Sequence, residues 1–433
     1  MLERDGRSGK DTRMKRLTLA ALAALAALPV AAATPRSPEA VAAAALKSAP
    51  VFDGHNDVPE QLRDRRKDVL EGFDFRDTRA TGDAATGTPP MMTDIARMRA
   101  GRVGAQFWSV YVSANLPEAQ AVQATLEQID VTRRLIAQYP ADMQFCTDSR
   151  CVDEAWKRGR IASLIGMEGG HSIGGSLGVL RQMHALGARY MTLTHFRNTA
   201  WADSATDAPQ HDGLTPFGEK VVREMQRLGI LVDLAHVSEA TMRDVLALGG
   251  PPPIVSHSNA RAINHHARNV SDETLKAIGA AGGIVMVNFY PPYVLEAARQ
   301  WSAARDAEVA RTKSLNRGDP SAEKAALDAW DKANPMPRGS VQDVADHVDH
   351  IARLTGTDHV GLGGDLDGVE ATIAGLDDAA SYPALFVELA RRGWSQGDLE
   401  KLANGNMMRV LRVAEAYASQ HRADGPLESP VGF

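Results

Sequence analysis

Six short apolar stretches of this 433-residue chain finish on a histidine or a carboxylate. They end at His55-Asn56-Asp57, Glu168, His195, His236, His257 and Asp365. Imidazole nitrogens and carboxylate oxygens are the donors of zinc, manganese and iron sites. His55 and Asp57 lie two apart at a strand end, a spacing that puts both side chains on one side. Glu168 sits in Gly166-Met167-Glu168-Gly169-Gly170 with no salt-bridge partner nearby in the sequence. A buried carboxylate must be paired or metal-bound. His236 or His257 alone reads as a hydrogen-bonded core histidine. Together, the His-x-Asp strand, the two histidine-ended strands and Glu168 supply ligands for two metals, with Glu168 able to bridge. Two ions a few ångströms apart can activate one water and polarise a carbonyl in the same step, which is what amide hydrolysis needs.

The remaining candidates fall around that centre. His195 reads as a ligand, as a donor to the carbonyl oxygen that gains charge in the transition state, or as a core residue. The donor role is preferred, because the metal set is already full. Asp365, in Gly363-Gly364-Asp365-Leu366-Asp367-Gly368, is placed to take the water's proton and return it to the leaving amine, with Asp367 as its competitor. Arg268 follows His257 in a loop where a guanidinium could pair with a substrate carboxylate, the other reading being a surface arginine. The other nine histidines are read as structural or exposed.

Such residues need strands that bring them to one point. Eight apolar or β-branched runs meet that need, at 51–57, 105–112, 161–168, 190–195, 230–236, 253–257, 283–289 and 359–365. Helical periodicity fills the gaps, as at 177–186, 216–228, 239–248 and 271–281, with Thr215, Ser238 and Ser271 marking helix starts. Strand and helix alternating eight times predict a parallel sheet covered on both faces and closed as a (β/α)8 TIM-type barrel, an α/β fold. No glycine-rich dinucleotide fingerprint follows the first strand, which disfavours an open doubly wound sheet. In such barrels the strand carboxyl ends carry the active site. Residues 295–338 read as an inserted helical hairpin between the seventh and eighth strands, and three further helices at 382–418 close the chain. The domain is expected over 34–420, with a loose tail at 421–433.

The amino-terminal 33 residues read differently. Six basic groups within residues 1–16 precede an uncharged Ala- and Leu-rich run and then Ala31-Ala32-Ala33. That order describes a secretory signal peptide, cleaved near Ala33, and a periplasmic or secreted protein without a membrane anchor. Cys146 and Cys151 would then meet an oxidising compartment, where a local disulfide and two free thiols both stay open. A formal net charge of −6 argues against nucleic-acid binding by phosphate neutralisation.

The motifs DGHND (53–57), GMEGGHSI (166–173), LTHFRNTAWAD (193–203), DLAHVS (233–238), SHS (256–258) and GGDLDG (363–368) resemble the membrane (renal) dipeptidase family of the amidohydrolase superfamily. The likeness runs in unbroken order from about Val51 to Val410. It implies two Zn2+ ions, one held by His55 and Asp57, the other by His236 and His257, with Glu168 bridging. Manganese or iron is an alternative. The resemblance further implies His195 on the substrate carbonyl, Arg268 on its carboxylate, Asp365 as acid and base, and Tyr293 lining the pocket. The implied substrates are dipeptides, with β-lactams as a side activity, and the implied assembly is a homodimer. The mammalian members lack an insertion like 295–338, and their disulfide cysteines have no evident counterparts here. The rivals are another binuclear hydrolase, acting on lactones, phosphotriesters or N-acyl amino acids, and a binding protein that has lost the chemistry.

Overall fold

The computed structural model describes residues 36–430, so the signal-peptide reading of residues 1–33 lies outside the described residues. Nine strands form one parallel sheet: β1 (Val51–Asn56), β2 (Val103–Tyr111), β3 (Met143–Phe145), β4 (Ile161–Glu168), β5 (Ala188–Thr192), β6 (Leu231–Asp233), β7 (Ile254–Val255), β8 (Ile284–Val287) and β9 (Val360–Leu362). Eight of them close a ring. β1 pairs with both β2 and β9, β2 pairs with β4, and each strand from β4 to β9 pairs with the next. The eight runs read from the sequence are these eight strands. The ninth, β3, has no counterpart among them; it is three residues long and pairs only with the first half of β4, below the point where β5 joins. Three residues offer too little pattern to stand out from the surrounding loop.

Two apolar layers hold the ring. Inside it, Phe52, Ala105, Phe107, Leu164, Tyr190, Leu231 and Met286 pack with Met407 and Met408 of the helix Asn406–Gln420. Phe52, Ala105 and Leu231 lie near their strand starts, so that helix packs at the amino-terminal end, opposite the carboxyl ends of the strands. Outside the ring, alternate strand residues such as Val51, Val103, Ile165 and Val285 join the apolar faces of the surrounding helices in a second core. The helix starts follow local chemistry. Thr215, Ser238 and Ser271 each accept a hydrogen bond from the backbone three residues on, capping helices at Pro216–Leu228, Glu239–Leu248 and Asp272–Ala280.

The segment between β8 and β9 holds two consecutive helices, Glu296–Leu315 and Pro320–Ala333. The second has no buried residue, so it adds nothing to either core. It is tied to the first by the Arg305–Asp331 ion pair (2.8 Å) and by Trp301 Nε1 donating to the Asn334 carbonyl (2.6 Å). Near the other end of the chain, Leu427 is pinned by a bond from Arg181 to its carbonyl and one from its own amide to Glu224. Cys146 and Cys151 are joined as a disulfide that fastens the end of β3 to the helix Ser149–Lys157. No helix among the described residues is long and apolar enough to cross a membrane.

Candidate metal centre

The site residues stand at or just past the strand ends, and three local devices aim them. The first is a β-bulge: Asp53 and Asn56 pair with Gln106 and Trp108, so β1 carries one residue more than β2 over that span. The bulge turns His55 into the barrel mouth, and Asp57 comes next in the turn before the helix Val58–Arg66. Simple strand alternation is therefore not what brings His55 and Asp57 together. The second device is left-handed backbone at His236 (φ 65°) and Asp365 (φ 60°), uncommon for residues with a Cβ and costing on the order of 1–3 kcal/mol each. The third is missing side chains. A Cβ on Gly368 would lie 2.2 Å from Asp57 Oδ2, and one on Gly166 would lie 2.0 Å from the Tyr190 ring.

Five of the six run ends meet around Glu168, and its two carboxylate oxygens face different neighbours. Oε2 lies 3.5 Å from His55 Nε2, which is itself 3.3 Å from Asp57 Oδ2. Oε1 lies 3.1 Å from His236 Nε2, 3.4 Å from His257 Nε2 and 3.7 Å from His195 Nε2. Asp365 Oδ1 stands 3.9 Å from His55 Nε2. The sets His55–Asp57–Glu168 and Glu168–His236–His257 each bring three ligand atoms within 4.8 Å of one another. A third set, His55–His257–Asp365, meets the same criterion and overlaps both.

These atoms fit cations. His55 Nε2 and both Asp57 oxygens are buried without a hydrogen-bond partner among the described residues. An unsatisfied buried polar group costs about 1–3 kcal/mol, and a charged one more. Burial pushes His236 and His257 well below the usual imidazole value, and His195 to about 4 despite the pull of Glu168. All three are thus neutral at pH 7 and keep a lone pair to offer. Burial works to raise Glu168, but the histidines, His55 and His195 foremost, hold it well below the ordinary carboxylate range. Burial raises Asp365 to about 7, with Asp57 and Glu168 adding to the effect and His55 opposing it. Its Oδ2 accepts from Asn288 Nδ2 at 2.7 Å. Asp367, its competitor, is turned away and accepts from the Met92 amide at 2.7 Å.

The centre opens into a cavity of about 600 Å³. Tyr293 and His195 line it. Arg268 does not. It is 1% exposed, so the surface reading fails, and it lies behind Tyr293 with its guanidinium carbon 5.3 Å from that ring. Two of its nitrogens are engaged, Nη1 with Ser258 Oγ (3.0 Å) and Nη2 with the His257 carbonyl (3.2 Å). The sequence reading missed Glu60, Tyr111, Phe196 and His266 in the wall, and Ser302 and Asp306 on the inserted helix. Glu60 lies three residues after Asp57 on the Val58–Arg66 helix, a spacing that could have pointed to it. Burial, then Asp57 and Glu168, push it up to about 9.

A closed parallel barrel with buried imidazoles and carboxylates converging at its carboxyl end defines a metallohydrolase of the amidohydrolase fold. The family model for membrane dipeptidase (peptidase family M19) matches residues 39–425, and the chain belongs to that family as a metallo-dipeptidase. It is 38% identical over 397 residues to "Dipeptidase 3" of Macaca fascicularis, covering 90% of this chain and 70% of that protein. Among solved structures it resembles the probable dipeptidase PvdM of Pseudomonas aeruginosa (TM-score 0.74, 22% identity, 89% of this chain and 100% of that one). It also resembles the M19 metallopeptidase dipeptidase AC (TM-score 0.66, 25% identity, 84% and 98%).

Because Glu168 turns one carboxylate oxygen toward each donor group, Glu168→Gln should lower metal content as well as turnover. Elemental analysis of the purified variant checks this, and full occupancy at both positions would remove the bridging role.

Proposed function

We propose that the protein is an exported zinc-dependent dipeptidase with a binuclear centre. One ion would be held by His55 and Asp57, the other by His236 and His257, and Glu168 would bridge them. The observation that carries this reading is the division of Glu168, with Oε2 toward the first pair and Oε1 toward the second. Zinc suits the nitrogen and oxygen donors, and manganese or iron would use the same set. Bound there, the ions supply Lewis acidity that lowers the pKa of water and polarises the substrate carbonyl.

The chain's own groups complete the reaction. Asp365 accepts a proton from the attacking water and delivers it to the leaving amine. A carboxyl group near neutrality is suited to both transfers, and Asn288 holds its orientation. His195, neutral and buried at the cavity wall, donates its N–H to the carbonyl oxygen as charge gathers there. Arg268 attracts the substrate carboxylate from behind Tyr293, which lines the pocket between them. β-Lactam rings present a comparable amide and are a side activity of this reading. Export rests on the signal-peptide pattern and agrees with the disulfide between Cys146 and Cys151. The homodimer rests on the family resemblance.

The deciding experiment pairs elemental analysis with hydrolysis of a dipeptide panel before and after chelation. About two zinc ions per chain and chelator-sensitive cleavage are expected; two metals without dipeptide cleavage would move the assignment to other amides, lactones or phosphotriesters. Asp365→Asn should keep both metals and lose roughly 10²–10⁴-fold in kcat, the usual range for general acid–base catalysis. Loss of metal instead would place Asp365 among the ligands, as its grouping with His55 and His257 allows. Arg268→Ala should raise KM for free dipeptides far more than for C-terminally amidated ones. Equal effects on both would make Arg268 a support for His257 rather than a carboxylate clamp.

A further inference from the structure

Behind His257 lies a chain of hydrogen bonds that the proposed reaction does not use. Asp233, at the end of β6, is fully buried. Its Oδ1 accepts from the backbone amides of Ala235 (3.1 Å) and Ser256 (2.8 Å). Its Oδ2 accepts from Thr192 Oγ1 (2.5 Å) and Ser256 Oγ (2.7 Å). Four donors converge on this carboxylate, and a carboxylate has no proton to give back. The one hydroxyl hydrogen of Ser256 is therefore committed to Asp233. Ser256 Oγ also lies 2.8 Å from His257 Nδ1, and on that side it is left as an acceptor. The proton in that second bond belongs to the imidazole.

We propose that Asp233 is a positioning residue that acts through Ser256 to hold His257 as its Nδ1–H tautomer. A neutral imidazole carries a single N–H. With that proton on Nδ1, Nε2 presents a bare lone pair 3.4 Å from Glu168 Oε1 and 3.0 Å from His236 Nε2, where the second ion is assigned. The other ligand histidines have no equivalent. His55 Nδ1 meets the phenol of Tyr190 at 2.9 Å, a group able to donate or accept, and His236 Nδ1 has no hydrogen-bond partner among the described residues. Of the three imidazoles, His257 alone has at its Nδ1 a hydroxyl whose hydrogen is already committed to a carboxylate. Thr192 ties β5 into the same carboxylate, so one buried group joins three adjacent strand ends.

This inference rests on the binuclear reading, and its test keeps the two apart. Nitrogen-15 NMR of the histidine-labelled, metal-free full chain reads the tautomer directly. His257 should show protonated Nδ1 and bare Nε2, and a protonated Nε2 would overturn the proposal without any variant. Asp233→Asn then reverses the logic, because its carboxamide can donate to Ser256 Oγ and free that hydroxyl to donate to Nδ1. Zinc affinity at one of the two positions, measured by competition with a chromophoric chelator, should fall about 10- to 100-fold, the usual effect of losing such a supporting contact. Ser256→Ala should give a mixture of tautomers, and Ser256→Thr, which keeps the hydroxyl, should restore the wild-type signal. Unchanged zinc affinity in a folded Asp233→Asn protein would overturn the proposal. Failure of the wild-type chain to bind zinc would instead fall on the binuclear reading, because the tautomer is read without metal.

Discussion

The arrangement of this barrel mouth depends on the cost of keeping negative charge out of water. Asp57, Glu168 and Asp365 are buried within reach of one imidazole, that of His55, and Glu60 stands close behind. Like charges so placed cannot all ionise unaided. Where protons are the available counter-charge, burial and mutual repulsion raise Asp365 and Glu60, whereas the histidines hold Glu168 ionised. Divalent cations would reverse that balance for the carboxylates, with the Nε2 atoms of His236 and His257, 3.0 Å apart, as further donors. The cluster is built for cations, and the same physics leaves Asp365 poised to exchange a proton.

The barrel supplies direction as well as proximity. Parallel strands end at one face, so each contributes a single position to the same small volume. The strands themselves stop short: β6, β7 and β9 end two or three residues before His236, His257 and Asp365. Beyond these ends the backbone is irregular and is held by buried carboxylates. Asp53 accepts from the His55 and Gly364 amides and from the Tyr382 hydroxyl, joining the first strand end to the last. Asp233 does the same for β5, β6 and β7. The left-handed conformations at His236 and Asp365 each follow a residue, Ala235 or Gly364, whose amide is held by one of these carboxylates.

The strands and the residues that end them were legible because both obey strong rules. Strands buried on both faces read as continuous apolar runs, and a polar residue ending such a run stands out against it. His55, Glu168, His236, His257 and Asp365 were visible for that reason. β3 and the bulge in β1 were not, since neither changes the composition of its segment. The wall residues carry a weaker signal still: Tyr111, Phe196 and His266 look like ordinary core or loop residues until the fold sets them around one cavity. Arg268 carried a misleading signal, because an arginine in a loop defaults to the surface while this one is 1% exposed.

Part of the cavity wall is not dictated by the barrel rule. The insertion between β8 and β9 is chemically plain, with no buried residue in its second helix. Its first helix nevertheless sets Ser302 and Asp306, four residues apart and so on one face, into the wall opposite residues of the barrel loops. The hairpin is braced by contacts within itself, Arg305 with Asp331 and Trp301 with Asn334, and its first helix is seated by the buried Ala298. Side chains at strand ends are constrained by eight-fold closure. Ser302 and Asp306 belong to neither apolar core, so the wall they form can change its residues without unfolding the barrel.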